Sequence, residues 1–502
     1  MKKILINKNS WESRVAIIRD GTLESIFFGQ STNKVIERSF FKGNVAKILP
    51  GIQTAFVDIG QERAGFLHVS EIDRDLAINR IMGSDQVELD DEIVRPRVSP
   101  EKIDISKILK EGESMLVQVS KEPVDEKGAK LTTCFTFPGR FVVLTPNIPR
   151  VGVSKKIEDR AERVRLKEIV AKHLPQGMGA VIRTSAENKS EEEVYKDLSL
   201  LVSDWNKILA LYDKAETKTK IHEDMDVSLQ VIRDHLDADV EAIVTDDAAN
   251  YDLIYKYVNK VAPEYKFKVK KYHGKQNLFD RYEIDQQIQM ALEPKVQLRS
   301  GGSIVIDTAE ALTVIDVNTG KFIGKGDMEE TILKTNLEAA KEIVLQLKLR
   351  NIGGLIVIDF IDMSNQKNRQ KLVIYFEKTL KELDKFQSVV LQVSEFGIVQ
   401  MTRKRSGKTL MRQLMNTCHC CNGLGQLMSV RAECYEVLRN IKRGLLECKG
   451  KHVLLLLHEA VFHFVTSVEF DSVLALETEF NCHITLAIDG TLKKNEFKLE
   501  SK

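Results

Sequence analysis

A chain of 502 residues with 43% hydrophobic and 29% charged residues has the composition of a folded protein of roughly three or four domains, which excludes a disordered or fibrous chain. A formal charge of +1 excludes a diffuse affinity for polyanions, so any nucleic-acid contact has to come from local patches. Seven cysteines, three of them at Cys418, Cys420 and Cys421, do not make a secreted disulfide framework. The opening Met1-Lys-Lys-Ile-Leu-Ile has only three apolar residues in a row and is no signal peptide. The longest strongly apolar run, 453–457, is far too short for a bilayer, so a cytoplasmic protein without a membrane segment is expected.

Residues 1–35 read as short strands at Ile4-Leu5-Ile6, 12–19 and 23–28, with a hairpin signal at Asp20-Gly21. From Gly43 the pattern becomes β runs punctuated by glycine: 43–49, Ala55-Phe56-Val57-Asp58-Ile59-Gly60 and Gly65-Phe66-Leu67-His68. An acid-rich stretch over about 74–104 interrupts them, and strands resume at 114–119 and 129–137. That predicts a small closed β barrel carrying one long loop. Two long amphipathic helices follow, over 156–173 and 190–213, and between them a Gly-led strand ends in Arg183-Thr184. Residues 226–292 mix strands and helices up to Pro294. A hairpin, a helix over 329–349 and a strand over 355–359 then make an α/β unit reaching to about 400. The basic run 403–408 reads as a flexible connector to the cysteine cluster, and 428–502 as a small α+β module.

Four constellations carry chemistry. Asp316 and Asp359 each end a strongly β-forming run, with Asn318 close by. Taken alone, either is an ordinary strand-end charge. On neighbouring strands about 5 Å apart, however, two carboxylates come within reach of one Mg²⁺, which takes few carboxylates and keeps waters for a phosphate. Phe56 and Phe66 alternate with Val57 and Leu67, which can serve the barrel core. An aromatic on the outer face of such a barrel stacks single-stranded bases, and Lys127 and Lys130 would attract the RNA backbone. Arg183-Thr184 suits a terminal phosphate, a guanidinium fork beside a hydroxyl donor. Cys418-His419-Cys420-Cys421, followed by Gly423 and Gly425, is a metal knuckle that offers zinc two of its four ligands through Cys418 and Cys421. The same motif from a second chain completes the set, which predicts a zinc-bridged homodimer.

These residues resemble the bacterial ribonuclease E/G family across nearly the whole chain. The resemblance is carried by Gly-Gly-Ser-Ile-Val-Ile-Asp at 301–307, Thr-Val-Ile-Asp-Val-Asn at 313–318, Thr-Asn-Leu-Glu-Ala-Ala at 335–340, Gly-Gly-Leu-Ile-Val-Ile-Asp-Phe-Ile-Asp-Met at 353–363, and the glycine-followed cysteine pair. It implies a single-strand-specific, Mg²⁺-dependent endoribonuclease that leaves 5′-phosphate and 3′-hydroxyl ends, is stimulated by a 5′-monophosphate, and acts in rRNA and tRNA processing and mRNA decay. A non-catalytic RNA-binding or ribosome-associated protein on the same fold is the alternative; the paired aspartates argue against it.

The implied fold is multidomain α/β and α+β. An S1-type OB barrel (36–133) and a 5′-phosphate sensor region (134–225) interrupt an RNase H-like domain (1–35 and 226–292). A DNase I-like catalytic domain (293–412), a zinc-link (413–427) and a small C-terminal domain (428–502) follow. By the same likeness Asp316 and Asp359 hold Mg²⁺, Asn318 assists them, Phe56, Phe66 and Lys127 contact RNA, and Cys418 and Cys421 share Zn²⁺ between chains of a dimer or tetramer. Arg183 and Thr184 bind the 5′-phosphate, with Gly139 and Val143 lining that pocket. Two departures stand out: His419 replaces the family's usual proline and Cys420 adds a third thiol. The chain also ends at 502 without a scaffold tail, which resembles the short form of the family.

Overall fold

The computed structural model describes residues 1–30, 36–72, 87–88, 105–123, 128–320, 328–394, 397–405, 407–447, 452–493 and 496–501. Lys127 and nearly all of the stretch expected to form the long loop lie outside the described residues. The chain divides into two compact units, Met1–Leu410 and Met411–Lys502.

The first sheet of the larger unit joins distant parts of the chain. Its strand order is Val269–Lys271, Val240–Thr245, Lys2–Lys8, Glu12–Arg19 and Thr22–Gln30. Ile4 lies beside Ile17 in an antiparallel pair and beside Ile243 in a parallel one. The expected Asp20-Gly21 hairpin is present, with φ of 51° and 85°, the left-handed pair that a two-residue turn demands.

A barrel and a second sheet come between Gln30 and helix Val227–His235, which packs back on the first sheet with Val231 and Ile232 in the core beside Ile4 and Ile17. Five strands close into a barrel in the order Phe40–Leu49, Thr54–Asp58, Gly65–His68, Lys130–Thr132 and Ser114–Lys121, and the last pairs back onto the first. The long first strand makes closure possible: residues 40–44 pair with one neighbour and 44–49 with the other. The core holds Phe41, Val45, Val57, Leu67, Val117 and Leu131, each at most 1% exposed. Next to it a second sheet runs Phe137–Pro138, Val142–Thr145, Gly179–Ile182, Val151–Ser154 and Val87–Glu88. Helices Arg160–His173 and Glu191–Lys214 accompany it. The first starts four residues later than its pattern suggested because the Asp159 side chain caps it, accepting from the Ala161 N–H.

The catalytic candidates lie on a six-stranded sheet ordered Lys295–Gln297, Ser303–Thr308, Leu312–Asn318, Gly354–Asp359, Ile398–Arg403 and Ser388–Val390. A crossover helix, Met328–Leu349, joins the two parallel central strands, as a parallel pair requires. With helix Gln366–Leu383 it packs a core that includes Ile315, Ile356, Ile358, Ala340 and Phe376, all fully buried. Strand alternation sends Asp316, Asn318 and Asp359 to the opposite, open face.

The flexible connector expected over 403–408 is wrong at its first residue. Arg403 ends a strand, is 2% exposed, and donates from Nε and Nη2 to both oxygens of Asp384 at 2.5 and 3.2 Å and from Nη1 to the Ile352 carbonyl at 2.6 Å. A guanidinium bonded bidentately to a buried carboxylate reads as linker only when its partner, nineteen positions upstream, is unseen.

The smaller unit has a three-stranded sheet ordered His483–Ile488, His452–Leu457 and Phe497–Ser501, with helices Val430–Gly444, Glu459–Ser467 and Phe470–Phe480. Cys434, Val437, Leu455 and Val461 sit in its core. Among the described residues no helix is long and apolar enough to cross a membrane.

Candidate active site

Asp316 and Asp359 are direct partners across the parallel central pair, so their carboxylates rise side by side from the open face. Asp359 closes its strand, and the chain then turns toward Asp362. This is the carboxyl end of parallel strands, where open α/β sheets place their ligands. The Asn318 amide donates to Asp316 Oδ2 at 2.6 Å and fixes that carboxylate's orientation. Desolvation, and after it the negative charges of Asp316 and Asp362, push the Asp359 carboxyl above its ordinary value. Among the described residues both charges acting on it are negative, the situation a divalent cation relieves. Among those residues no cluster of three or more His, Cys, Asp and Glu side chains is set to hold a metal unaided. Two carboxylates with open solvent beside them fit Mg²⁺, which retains several waters, better than a metal needing a full protein cage.

On the barrel, Phe56 and Phe66 are opposed across neighbouring strands, both half-buried, while Val57 and Leu67 are fully buried on the inner face. The register extends this pair into a transverse row, Lys47–Phe56–Phe66–Lys130. Lys47 was invisible to sequence reasoning because an irregularity between Val45 and Lys47 shifts it onto the Phe56 face. Lys130, expected to be a free cation, instead bonds its ammonium to Glu71 Oε1 at 2.5 Å. The exposed cation of the row is Lys47.

Arg183 follows the strand Gly179–Ile182, and exposed Thr184 opens a short 3₁₀ turn. Arg183 Nη1 donates at 2.7 Å to both the Gly139 carbonyl and Asp234 Oδ1. Arg183 and Gly139 are thus brought together, while Val143 sits one strand over, paired with Val181. Gly139 is required by close approach: a Cβ there would lie 2.6 Å from Asp197 Oδ2 and 2.8 Å from the Val142 carbonyl. Buried Asp197 accepts the backbone N–H groups of Arg140, Phe141 and Val142 and so shapes this turn. Asp234 and Asp197 carried no sequence signal, since each acts on a segment more than forty residues away.

A family model described as the ribonuclease E/G family matches residues 136–406. The chain belongs to the ribonuclease E/G family. A second model, the thioredoxin-like domain of RNase E/G, matches residues 417–502, which takes in the small α+β module expected over 428–502 and most of the cysteine segment before it. Ribonuclease G of Escherichia coli K12 is 35% identical over 495 residues, 99% of this chain and 98% of that protein. Ribonuclease G of Salmonella typhimurium SL1344 is 38% identical over 88% of this chain and 87% of its own length. Ribonuclease E of Escherichia coli K12 is 33% identical over 95% of this chain, which corresponds to 44% of that longer protein.

In this ribonuclease E/G family member the cysteine segment is shaped by backbone. Asn422, Gly423 and Gly425 have φ of 48°, 86° and 70°, and the Gly425 N–H points at Cys421 Sγ, 3.4 Å away. The backbone N–H groups of Cys421 and Cys420 lower the Cys418 thiol below its ordinary value. Amides aimed at sulfur stabilise thiolates, the form in which cysteine binds zinc. Cys418 and Cys420 are exposed, and Cys421 is partly so.

Proposed function

We propose that this ribonuclease E/G family member is a single-strand-specific endoribonuclease that uses Mg²⁺, leaves 5′-phosphate and 3′-hydroxyl ends, and is stimulated by a 5′-monophosphate on its substrate. Family membership makes it a ribonuclease. The observation that carries the finer reading is the in-register pair Asp316–Asp359, raised together on an open face with Asn318 bonded to the first. A bound Mg²⁺ would orient the scissile phosphate, activate a water and offset the charge developing on the oxygens. Phe56 and Phe66 offer bases a stacking surface, which only unpaired strands can use. Among the described residues only Nη1 of Arg183 is engaged, so its remaining donors and the Thr184 hydroxyl suit a terminal phosphate.

In the domain reading that accompanies this, the barrel (36–133) is S1-type and the sheet built from 1–35 and 226–292 is RNase H-like. The region 134–225 is the 5′-phosphate sensor, and 293–412 is DNase I-like. The segment 413–427 is a zinc-link whose Cys418 and Cys421 pair with those of a second copy, and 428–502 is a small terminal domain. The substrates are precursors of rRNA and tRNA, and mRNA.

The test is Asp316→Asn on a 5′-monophosphorylated single-stranded RNA. Turnover should fall by about a thousandfold, the several kcal/mol a lost metal ligand costs, with RNA affinity nearly unchanged. Unchanged turnover would overturn the metal–carboxylate mechanism.

A further inference from the structure

The motif Thr335-Asn336-Leu337-Glu338-Ala339-Ala340 on the crossover helix touches neither base-stacking row nor carboxylate pair, and the proposed function leaves it unused. Its side chains nonetheless reach both catalytic strand ends. Asn336 is fully buried, and its amide closes on a single residue: Nδ2 donates to the Ile361 carbonyl at 2.8 Å and Oδ1 accepts the Ile361 N–H at 3.1 Å. Ile361 is two residues beyond Asp359 and one before Asp362. Glu338 reaches the other way, accepting the N–H groups of Arg299 and Ser300 at 2.7 and 3.1 Å. That turn leads into Gly301-Gly302, which backs against the end of the Asp316 strand: a Cβ on Gly302 would lie 2.8 Å from the Asn318 carbonyl. Fully buried Ala339 and Ala340 let the helix lie close on the sheet.

We propose, on the reading of Asp316 and Asp359 as metal ligands, that Asn336 is a positioning residue that holds the Asp359–Asp362 turn in place, with Glu338 bracing the Asp316 strand end from the same helix. The reason is one of satisfied valence. The turn after Asp359 leaves the sheet ladder, so the Ile361 N–H and C=O lose their strand partners at a place water does not reach freely. An amide is the side chain that satisfies a donor and an acceptor of one residue together. A replacement without an amide leaves at least one of them unpaired, and the turn relaxes by the fraction of an ångström that a two-carboxylate metal site does not tolerate. Residues that orient metal ligands from outside the coordination sphere change metal affinity by about ten- to a hundredfold when removed.

The experiment compares Asn336→Leu, which has the same branching and number of side-chain heavy atoms but neither hydrogen bond, with Asn336→Ser, which keeps a hydroxyl but cannot span both groups. Mn²⁺ binding to the RNA-free protein, followed by electron paramagnetic resonance, should weaken about tenfold or more. RNA binding should be unchanged, and kcat should fall with KM unaltered. If the leucine variant does not fold, the serine variant, checked for a cooperative thermal transition, carries the same expectation. Unchanged Mn²⁺ affinity in a folded variant would overturn the positioning role, as would a loss of RNA binding equal to the loss of turnover. Asp316→Asn in parallel separates the two ideas. If it still cleaves, the metal–carboxylate reading itself is gone; if it is inactive while the Asn336 variants bind Mn²⁺ normally, only the positioning role is lost.

Discussion

The aromatic row on the barrel and the carboxylate pair on the six-stranded sheet are built the same way, and the proposed function gives them different work. Both use in-register neighbours on adjacent strands, with alternation sending the useful side chains outward and the apolar ones inward. On the proposed function, the row Lys47–Phe56–Phe66 would spread RNA binding over several contacts, each stacked base worth about 1–3 kcal/mol. The carboxylate pair would have no such redundancy, because on the same proposal a metal held by two oxygen donors loses its seat when either goes. Strand register can therefore make a graded binding surface or an all-or-none reaction centre, according to what it aligns.

That contrast can be broken. Asp359→Ala should cost about a thousandfold in turnover while RNA affinity stays within about threefold, measured by single-turnover cleavage and by binding in Ca²⁺. Phe56→Ala should be milder, raising Kd for a single-stranded oligonucleotide by about ten- to a hundredfold with little change in the single-turnover rate at saturation. A barrel substitution that abolished chemistry at saturating RNA would erase the distinction. Lys47→Ala should be smaller again: the slope of log K against log salt should fall by about 0.7, one phosphate contact on a single strand, whereas Lys130→Ala should leave it unchanged because Glu71 already holds that ammonium.

The smallest effect concerns protons. The Asp359 carboxyl is raised, so the folded chain holds that proton more tightly than the unfolded one. Its contribution to stability thus improves as pH falls through the folded value and is lost as pH rises through it. Asp316→Asn removes one of the like charges, so Asp359 should titrate at lower pH in that variant, read by carbon-13 NMR of its carboxyl. An upward movement would mean that Asp316 is not the neighbour that matters.

Much of this was legible in the sequence wherever a pattern is local. Alternation put Phe56 and Phe66 outward and Val57 and Leu67 inward, and the continuous apolar run ending at Asp359 marked a central strand. The hairpin Ser303–Thr308 with Leu312–Asn318 set Asp316 at its end. What escaped depends on partners far along the chain. Lys47 joins Phe56 only through a register irregularity, Lys130 is taken by Glu71 fifty-nine residues earlier, and Arg403 is buried by Asp384. Asp234 reaches Arg183 across fifty-one residues, and no periodicity encodes such a meeting.

The sheet that joins Ile4 to Ile243 carries a consequence for the chain's birth. Strands Lys2–Lys8, Glu12–Arg19 and Thr22–Gln30 leave the ribosome as a three-stranded meander, and their parallel neighbour Val240–Thr245 follows more than two hundred residues later. At about 5–20 residues per second that is a wait on the order of ten to forty seconds, during which the barrel and its neighbouring sheet can fold on their own. Through that interval the Lys2–Lys8 edge stands open, its Ile4-Leu5-Ile6 centre flanked by lysines that discourage pairing with another chain. The edge closes only when Val240–Thr245 has been made and pairs with it, before the six-stranded sheet that carries Asp316 and Asp359 is complete.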